Sequence, residues 1–343
     1  MKSFFSFLLV AALVIGSIVV YTKSHTGYVY SSSICPGRET AGDSCVTDFY
    51  ANLVDKYGEQ VAIADLKKRF NNDGYIAAQC HPIIHIVGAE ASKKYSSPSE
   101  AFLHGDPFCW SGYYHGVMEG IIARIGEDAL PQKLNTICDG ITGKEKYSFD
   151  YFNCVHGLGH GIMELKGDNL FDSLAMCDNL TGDWEQQSCQ SGVFMENIIS
   201  YNHNGTSNYL KKDDPLYPCP AVKDKYKFQC YLGQTSYALE VSNYDFKKVS
   251  DLCTTVAAPF RGVCFQSYGR DAGNQAGHAV GNTKQLCAIP RNASDEQDCV
   301  VGAVKEFISY YHDIKQANDF CNALDTAQKQ NCLTTGAEYY KVF

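Results

Sequence analysis

A cysteine followed three residues later by a glycine recurs along most of this chain. The pairs are Cys109–Gly112, Cys154–Gly157, Cys189–Gly192, Cys230–Gly233 and Cys299–Gly302, with looser versions at Cys264–Gly269 and Cys332–Gly336. From Cys154 onward these leading cysteines are 35, 41, 34, 35 and 33 residues apart. A period of this length is typical of helix–turn–helix arrays, in which each unit buries its apolar face against the next. We therefore predict an all-α fold, an α/α solenoid of about seven to eight helix–turn–helix repeats.

A second cysteine closes each repeat, and it pairs naturally with the leading cysteine that follows it. This scheme gives Cys138–Cys154, Cys177–Cys189, Cys219–Cys230, Cys253–Cys264, Cys287–Cys299 and Cys321–Cys332, and by elimination Cys80–Cys109 and Cys35–Cys45. We expect each disulfide to tie the end of the second helix of a repeat (helix B) to the first helix of the next (helix A). Closing a loop of this size contributes about 3 kcal/mol in the chain-entropy model.

The sixteen cysteines and the N-terminal segment indicate an exported protein. Disulfides persist in oxidising compartments. Residues 4–21 (FFSFLLVAALVIGSIVVY) have a length at which a cleaved signal peptide and a short membrane anchor overlap. No A-x-A cleavage motif follows, which slightly favours an anchor. We predict a signal peptide or N-terminal anchor at 1–23, a polar linker at 24–44 and a helical repeat domain at 45–343, outside the cell or on its surface.

Charge narrows the partners that such a domain can have. The net charge of −9 and the pI near 5.6 argue against nucleic acid and against an anionic membrane surface. We therefore expect contact with a membrane only through the N-terminal segment. A small molecule or a peptide on the concave face of the solenoid is the expected ligand class. Three N-x-S/T sequons, at Asn179, Asn204 and Asn292, are compatible with glycosylation.

One repeat resembles a known helical family. The stretch CYLGQTSYALEVSNYDFKKVSDLC (residues 230–253), with its Leu-Gly and later Tyr, resembles a unit of the tetratricopeptide repeat. At the level of fold class the resemblance extends over roughly residues 109–343, although the full tryptophan and proline pattern of that family is missing. The resemblance implies paired helices in a curved array and implies nothing about activity.

Histidines cluster in the first three A helices, between residues 80 and 164. When the leading cysteines are aligned, His115 and His160 both fall at Cys plus six, and His85 falls at Cys plus five. Equivalent positions on adjacent helices line one wall of a solenoid, so these three should lie side by side. His81 and His156 each precede one of them by four residues and share its helix face. Later repeats carry other residues at this position, so the scaffold itself does not require histidine there.

Acidic residues complete a candidate metal site. Glu119 and Glu164 each follow a clustered histidine by four residues. Because the thiols are used in disulfides, imidazole and carboxylate remain as ligands, and this set suits zinc, copper or non-haem iron. The predicted metal ligands are therefore His81, His85, His115, His156 and His160. Glu119 and Glu164 are the predicted catalytic residues, as bridging ligands or as the general base for a metal-bound water.

Two functions follow from these residues, and the sequence leaves both open. The first is an exported metal-binding protein, which as an enzyme would be a metal-dependent hydrolase or an oxidase or hydroxylase. Helical-repeat hydroxylases that hold two irons offer an analogy, but their contiguous His-Glu dipeptides are absent here. The second is a non-catalytic extracellular binding or scaffold solenoid, in which the histidines belong to the packed core.

Overall fold

The computed structural model of the protein describes residues 27–31, 34–35, 44–204 and 207–342. The predicted signal peptide or anchor at 1–23 lies outside the described residues. Among the helices that are described, none combines the length and the apolar character needed to cross a membrane.

The described part of the chain is all-helical, as predicted. Its seventeen α-helices are α1 (Ser44–Tyr57), α2 (Glu59–Phe70), α3 (Gly74–Ala78), α4 (Cys80–Ser92), α5 (Pro98–Phe102), α6 (Gly112–Ile125), α7 (Leu130–Lys133), α8 (Phe149–Leu165), α9 (Leu170–Cys177), α10 (Asp183–Asn204), α11 (Asp224–Val241), α12 (Phe246–Thr254), α13 (Ala258–Gln275), α14 (Val280–Cys287), α15 (Ala293–Tyr311), α16 (Ile314–Asn322) and α17 (Thr326–Tyr340). A short 3₁₀ turn follows α7 at Lys144–Lys146.

The helices form a solenoid of two layers. The long helices α4, α6, α8, α10, α11, α13, α15 and α17 each pack on the next in chain order. The short helices α9, α12, α14 and α16 each lie against the long helix before them and the long helix after them. These are the A and B helices that the cysteine period predicts.

All eight disulfides pair as predicted, with Cα–Cα distances of 5.4 to 6.0 Å. Four of them tie a B helix to the next A helix, as in Cys253–Cys264 between α12 and α13. The arrangement varies elsewhere, because Cys138 and Cys219 lie in turns rather than in helices. Cys80 opens α4, and its partner Cys109 lies in a left-handed turn (φ 55°) before α6.

The breaks between A and B helices arise from local backbone chemistry. After α11, Asn243 and Tyr244 adopt the left-handed conformation, and the side chain of Asp245 then caps α12 by accepting from the amide of Lys248. After α15, His312 is left-handed and Asp313 caps α16 in the same way. A capping side chain satisfies an amide that the first helical turn leaves without a partner, so these residues set where each B helix begins.

Glycines let the A helices around the histidine cluster touch backbone to backbone. A methyl group at Gly116 of α6 would lie 1.9 Å from the carbonyl oxygen of His85 on α4. At Gly192 of α10 it would lie 2.0 Å from the carbonyl oxygen of His156 on α8. Only a residue without a Cβ fits such an approach, so these glycines bring the histidine-bearing helices within reach of one another.

The array curves until its last repeats meet its first ones. Trp110, just before α6, donates through Nε1 to Glu306 Oε1 of α15 at 2.9 Å, and its ring lies 5.5 Å from that of Tyr310. Nearby, the backbone amide of Phe149 donates to the carbonyl of Val342 at 2.9 Å. The curvature implied by the repeat resemblance therefore brings the two ends of the array together.

Part of the stretch predicted as a polar linker contacts the helical domain. Arg69 of α2 donates to the carbonyl oxygen of Ser31 at 2.8 Å, and Tyr28 hydrogen-bonds to Asp65 of the same helix. The Cys35–Cys45 disulfide ties this stretch to α1. The division of the chain at residues 23 and 44 stays a prediction.

Candidate metal centre

The five clustered histidines converge at the contact of three A helices. His81 and His85 lie on α4, His115 on α6, and His156 and His160 on α8. The ring centroids of His85, His115 and His160 lie 4.9 to 5.4 Å from one another. The cysteine alignment predicts this side-by-side row. All but His81 are buried, with at most 7% of their surface exposed.

Two of these histidines form a line of polar contacts that runs from a backbone carbonyl to a carboxylate. His81 Nδ1 lies 2.7 Å from the carbonyl oxygen of Cys109. His81 Nε2 lies 3.0 Å from His85 Nε2, and His85 Nδ1 lies 2.7 Å from Glu119 Oε1. We call these four residues the first line.

A second line repeats this arrangement one pair of helices along the array. His156 Nδ1 lies 2.7 Å from Ser191 Oγ, and the Ser191 hydroxyl donates its hydrogen to the carbonyl of Ser188 at 2.7 Å. His156 Nε2 lies 3.1 Å from His160 Nε2, and His160 Nδ1 lies 2.7 Å from Glu196 Oε2. In both lines an i, i+4 histidine pair ends on a glutamate from the next A helix.

The first line has one hydrogen too few for its contacts. It has three close contacts, and both of its ends, the Cys109 carbonyl and the ionised Glu119 carboxylate, only accept. Two neutral imidazoles supply one N–H each, so one contact in the line brings two lone pairs together. The second line has the same shortage when the Ser191 hydroxyl donates to Ser188, and none when this hydroxyl turns its hydrogen to His156 Nδ1. Facing lone pairs in a buried site are unfavourable unless a cation lies between them.

His115 lies between the two lines and carries a ring nitrogen without a partner. Its Nε2 lies 3.3 Å from the side-chain amide of Asn153. Its Nδ1 is buried with no hydrogen-bond partner. Buried polar atoms are rarely left unpaired, so this nitrogen is a further candidate ligand.

Desolvation keeps four of the five imidazoles neutral. Together with the neighbouring His85, it lowers the pKa of His81 to about 3. Burial likewise holds the pKa of His115, His156 and His160 well below the ordinary value, with the neighbouring imidazoles adding to the effect. A metal ligand must be the neutral imidazole, so these histidines are in the form that binds metal.

Three overlapping sets of side chains have the spacing of metal ligands. One set is His81, His85 and His115, and another is His115, His156 and His160. A third set, His85, Glu119 and His160, lies toward the carboxylates. Within each set the candidate ligand atoms all lie within 4.8 Å of one another.

The two predicted catalytic glutamates occupy different positions. Glu119 is largely buried and contacts His85, with Oε1 also 3.9 Å from His160 Nδ1. Glu164 lines an open cleft of about 730 Å³ that also reaches His85, Glu119 and Glu196. Although Glu164 is exposed to this cleft, desolvation by the surrounding protein, together with the charges of Glu119 and Glu196, raises its pKa to about 7. The catalytic roles of Glu119 and Glu164 stay predictions.

Glu196 and Ser191 on α10 are site residues that sequence reasoning missed. The cysteine alignment places Met195 at the position equivalent to His115 and His160, but the side chain that reaches His160 is the next residue. The sequence signal that could have identified Glu196 was its place directly after the position that aligns with His115 and His160.

The equivalent wall in later repeats holds a permanent cation in place of histidine. Arg270 of α13 donates to Ser236 Oγ of α11 at 2.6 Å and to Asp271 Oδ1 at 2.9 Å. Thr235 donates to the other oxygen of Asp271 at 2.6 Å. A carboxylate at this position is thus balanced by a guanidinium where no histidine pair is present.

No protein-family model, curated protein or solved structure matches this chain. The candidate function therefore stands on the geometry of the site.

Proposed function

We propose that this is an exported metal-binding protein whose centre is formed by His81, His85, His115, His156 and His160. The observation that carries the proposal is the convergence of these histidines into two sets whose candidate ligand atoms lie within 4.8 Å of one another, with one hydrogen missing from the first line. A bound metal ion supplies the positive charge that the facing lone pairs require.

A metal ion explains the short contacts better than an added proton does. A proton would place an imidazolium inside a cluster of five imidazoles, and the lowered pKa values of His81, His156 and His160 oppose this. Two nitrogens bound tetrahedrally to one ion at about 2.0–2.1 Å lie about 3.3–3.4 Å apart. The Nε2–Nε2 distances of 3.0 and 3.1 Å are within a few tenths of an ångström of that separation. Imidazole-rich sites suit zinc, copper or non-haem iron.

The carboxylates at the ends of the lines suit a supporting role. A metal-bound histidine commonly donates its other N–H to a carboxylate, which orients the ring and makes it a stronger ligand. Glu119 and Glu196 are placed to accept such bonds from His85 and His160.

The open cleft favours an enzymatic role for the metal centre. It gives solvent and a small substrate access to His85 and Glu119. A carboxyl group with a pKa near 7, such as that of Glu164, can accept a proton from a metal-bound water at neutral pH. We propose a metal-dependent hydrolase on this basis, with oxidation or hydroxylation as the alternative for copper or iron.

The disulfide bonds support export of the protein. The eight disulfides suit an oxidising environment, and none of the cysteines that the structure describes is free. The hydrophobic segment at residues 4–21 would direct the chain there, as a cleaved signal peptide or as an anchor.

Elemental analysis of the exported, non-reduced protein tests the proposal. We expect stoichiometric zinc, copper or iron in the native chain, and its loss when His115→Ala and His160→Ala are combined. His104→Ala is the matched control, because His104 is exposed and stacks on Tyr95 outside the cluster. Circular dichroism of each variant establishes that it is folded.

A native protein without stoichiometric metal, even after incubation with zinc or copper, would contradict the proposal. The non-catalytic scaffold would then be the better description. If metal is lost from the double variant while the helical content is unchanged, the site is functional rather than a structural element of the fold.

A further inference from the structure

We infer that the centre holds two metal ions, one for each histidine pair, with His115 between them. This inference rests on the proposed function and deepens it, since a single ion would already satisfy that proposal. Its basis is that each histidine pair forms, together with His115, its own set of three candidate ligand atoms.

Each histidine pair belongs to its own set of three imidazoles with the spacing of metal ligands. One set is His81, His85 and His115, and the other is His115, His156 and His160. The first pair ends on the carbonyl of Cys109 and on Glu119, and the second ends on Ser191 and Glu196. Each pair therefore has its own supporting hydrogen-bond partners.

One ion cannot take all four Nε2 atoms as ligands in this geometry. Two ligands on opposite sides of an ion at about 2.1 Å are at most about 4.2 Å apart. Among the described residues, no set of ligand atoms within 4.8 Å contains all four of these histidines; His85 and His160 share a set only with Glu119. Each pair is therefore suited to its own ion.

His115 is the residue that the two ligand sets share. Its ring centroid lies 5.4 Å from that of His85 and 4.8 Å from that of His156. Its unpartnered Nδ1 can complete the ligands of one ion, and the other ion then has a position open for water or substrate. The two ions would be close neighbours, as in sites where a metal pair binds both oxygens of a reacting group.

Native mass spectrometry of the intact, non-reduced chain titrated with Zn²⁺ measures the number of ions directly. We expect two Zn²⁺ per chain in the native protein. Combining His81→Gln with His85→Gln should leave one, and combining His156→Gln with His160→Gln should also leave one. His104→Ala should retain two.

Copper provides a second readout of the same arrangement. With Cu²⁺ at two equivalents, electron paramagnetic resonance of the native protein should show magnetic coupling between neighbouring ions. Each paired variant at one equivalent should show the spectrum of an isolated Cu²⁺. Spectra of two isolated ions in the native protein would overturn the shared position of His115.

The outcomes separate this inference from the proposed function. One Zn²⁺ per native chain overturns the two-ion inference and leaves metal binding intact. No Zn²⁺ overturns both. If a paired variant does not fold, as shown by circular dichroism, the ion count and the copper spectrum of the native protein decide the question.

Discussion

At the scale of single residues, the metal hypothesis depends on which atoms carry hydrogens. A histidine pair at i, i+4 is common on helices and by itself indicates little. Here the ends of the first line, the Cys109 carbonyl and the ionised Glu119 carboxylate, only accept, and this makes the contact between its two rings informative. The glutamates therefore decide the chemistry as much as the imidazoles do, since a donor in their place would complete the line without metal.

Replacing Glu196 by glutamine tests this reasoning. The Gln side chain can donate an N–H to His160 Nδ1, so that His160 Nε2 donates to His156 and every contact in the second line has a hydrogen. We expect the metal-free Glu196→Gln protein to gain about 0.5–1.5 kcal/mol in free energy of unfolding. Its affinity for metal should fall about 10–100-fold, as for other supporting carboxylates.

Denaturant unfolding in the presence of a chelator measures the stability, and competition with a chromophoric chelator measures the affinity. Glu164→Gln is the control, because Glu164 lines the same cleft without contacting an imidazole in the structure. A Glu196→Gln protein that is less stable without metal and binds metal as tightly as the native chain would refute the hydrogen count.

At the scale of helices, the site depends on how closely α4, α6, α8 and α10 approach. The glycine at Cys plus three is repeated along the array, yet it is not used in the same way in every repeat. Gly192 of α10 meets the backbone of α8, whereas Gly233 at the equivalent position of α11 has no neighbouring atom within 4 Å of an added methyl group. The same motif therefore has different energetic consequences at different positions.

These two glycines predict opposite effects of one substitution. Gly192→Ala should lower the free energy of unfolding by about 1–3 kcal/mol, because the methyl group forces two helices apart. It should also weaken metal binding, since α8 carries His156 and His160. Gly233→Ala should raise stability by up to about 1 kcal/mol, because alanine favours the helix and meets no obstacle. Urea unfolding of both variants checks this, and equal effects would show that the close approach at Gly192 is unimportant.

At the scale of the whole molecule, the contact between the ends of the array makes the stability of distant repeats depend on one another. In an open solenoid each repeat contacts only its neighbours, and a disturbance stays local. Here Trp110 and Glu306 join parts of the chain that are 196 residues apart. Glu306 is buried and also contacts His278 Nε2 at 3.1 Å. The hydrogen bonds from Trp110 and His278 therefore stabilise its buried carboxylate.

Trp110→Phe removes the indole donor and keeps an aromatic ring at the contact. Leaving a buried carboxylate without this hydrogen bond should lower the free energy of unfolding by about 1–3 kcal/mol. Hydrogen exchange should quicken both in α15 and around α6. Trp184→Phe, in the other tryptophan of the chain, should leave exchange in α15 unchanged. Faster exchange limited to the neighbourhood of residue 110 would argue against coupling between the ends.

The sequence by itself determined the all-helical repeat, the pairing of all sixteen cysteines and the grouping of the histidines. These features depend on short separations, namely loops of 10 to 29 residues between paired cysteines and histidines one helical turn apart. Local period and spacing are sufficient for such features, because each repeat packs on the next in chain order.

Only the tertiary structure decided which carboxylates meet the histidines and that the array closes on itself. Neighbouring residues on a helix point about 100° apart, so whether Met195 or Glu196 faces His160 depends on how α10 is rotated against α8. The Trp110–Glu306 contact depends on small angles accumulated over many repeats, and no local pattern encodes their sum. The missing hydrogen of the first line could be counted only once both ends of that line were known.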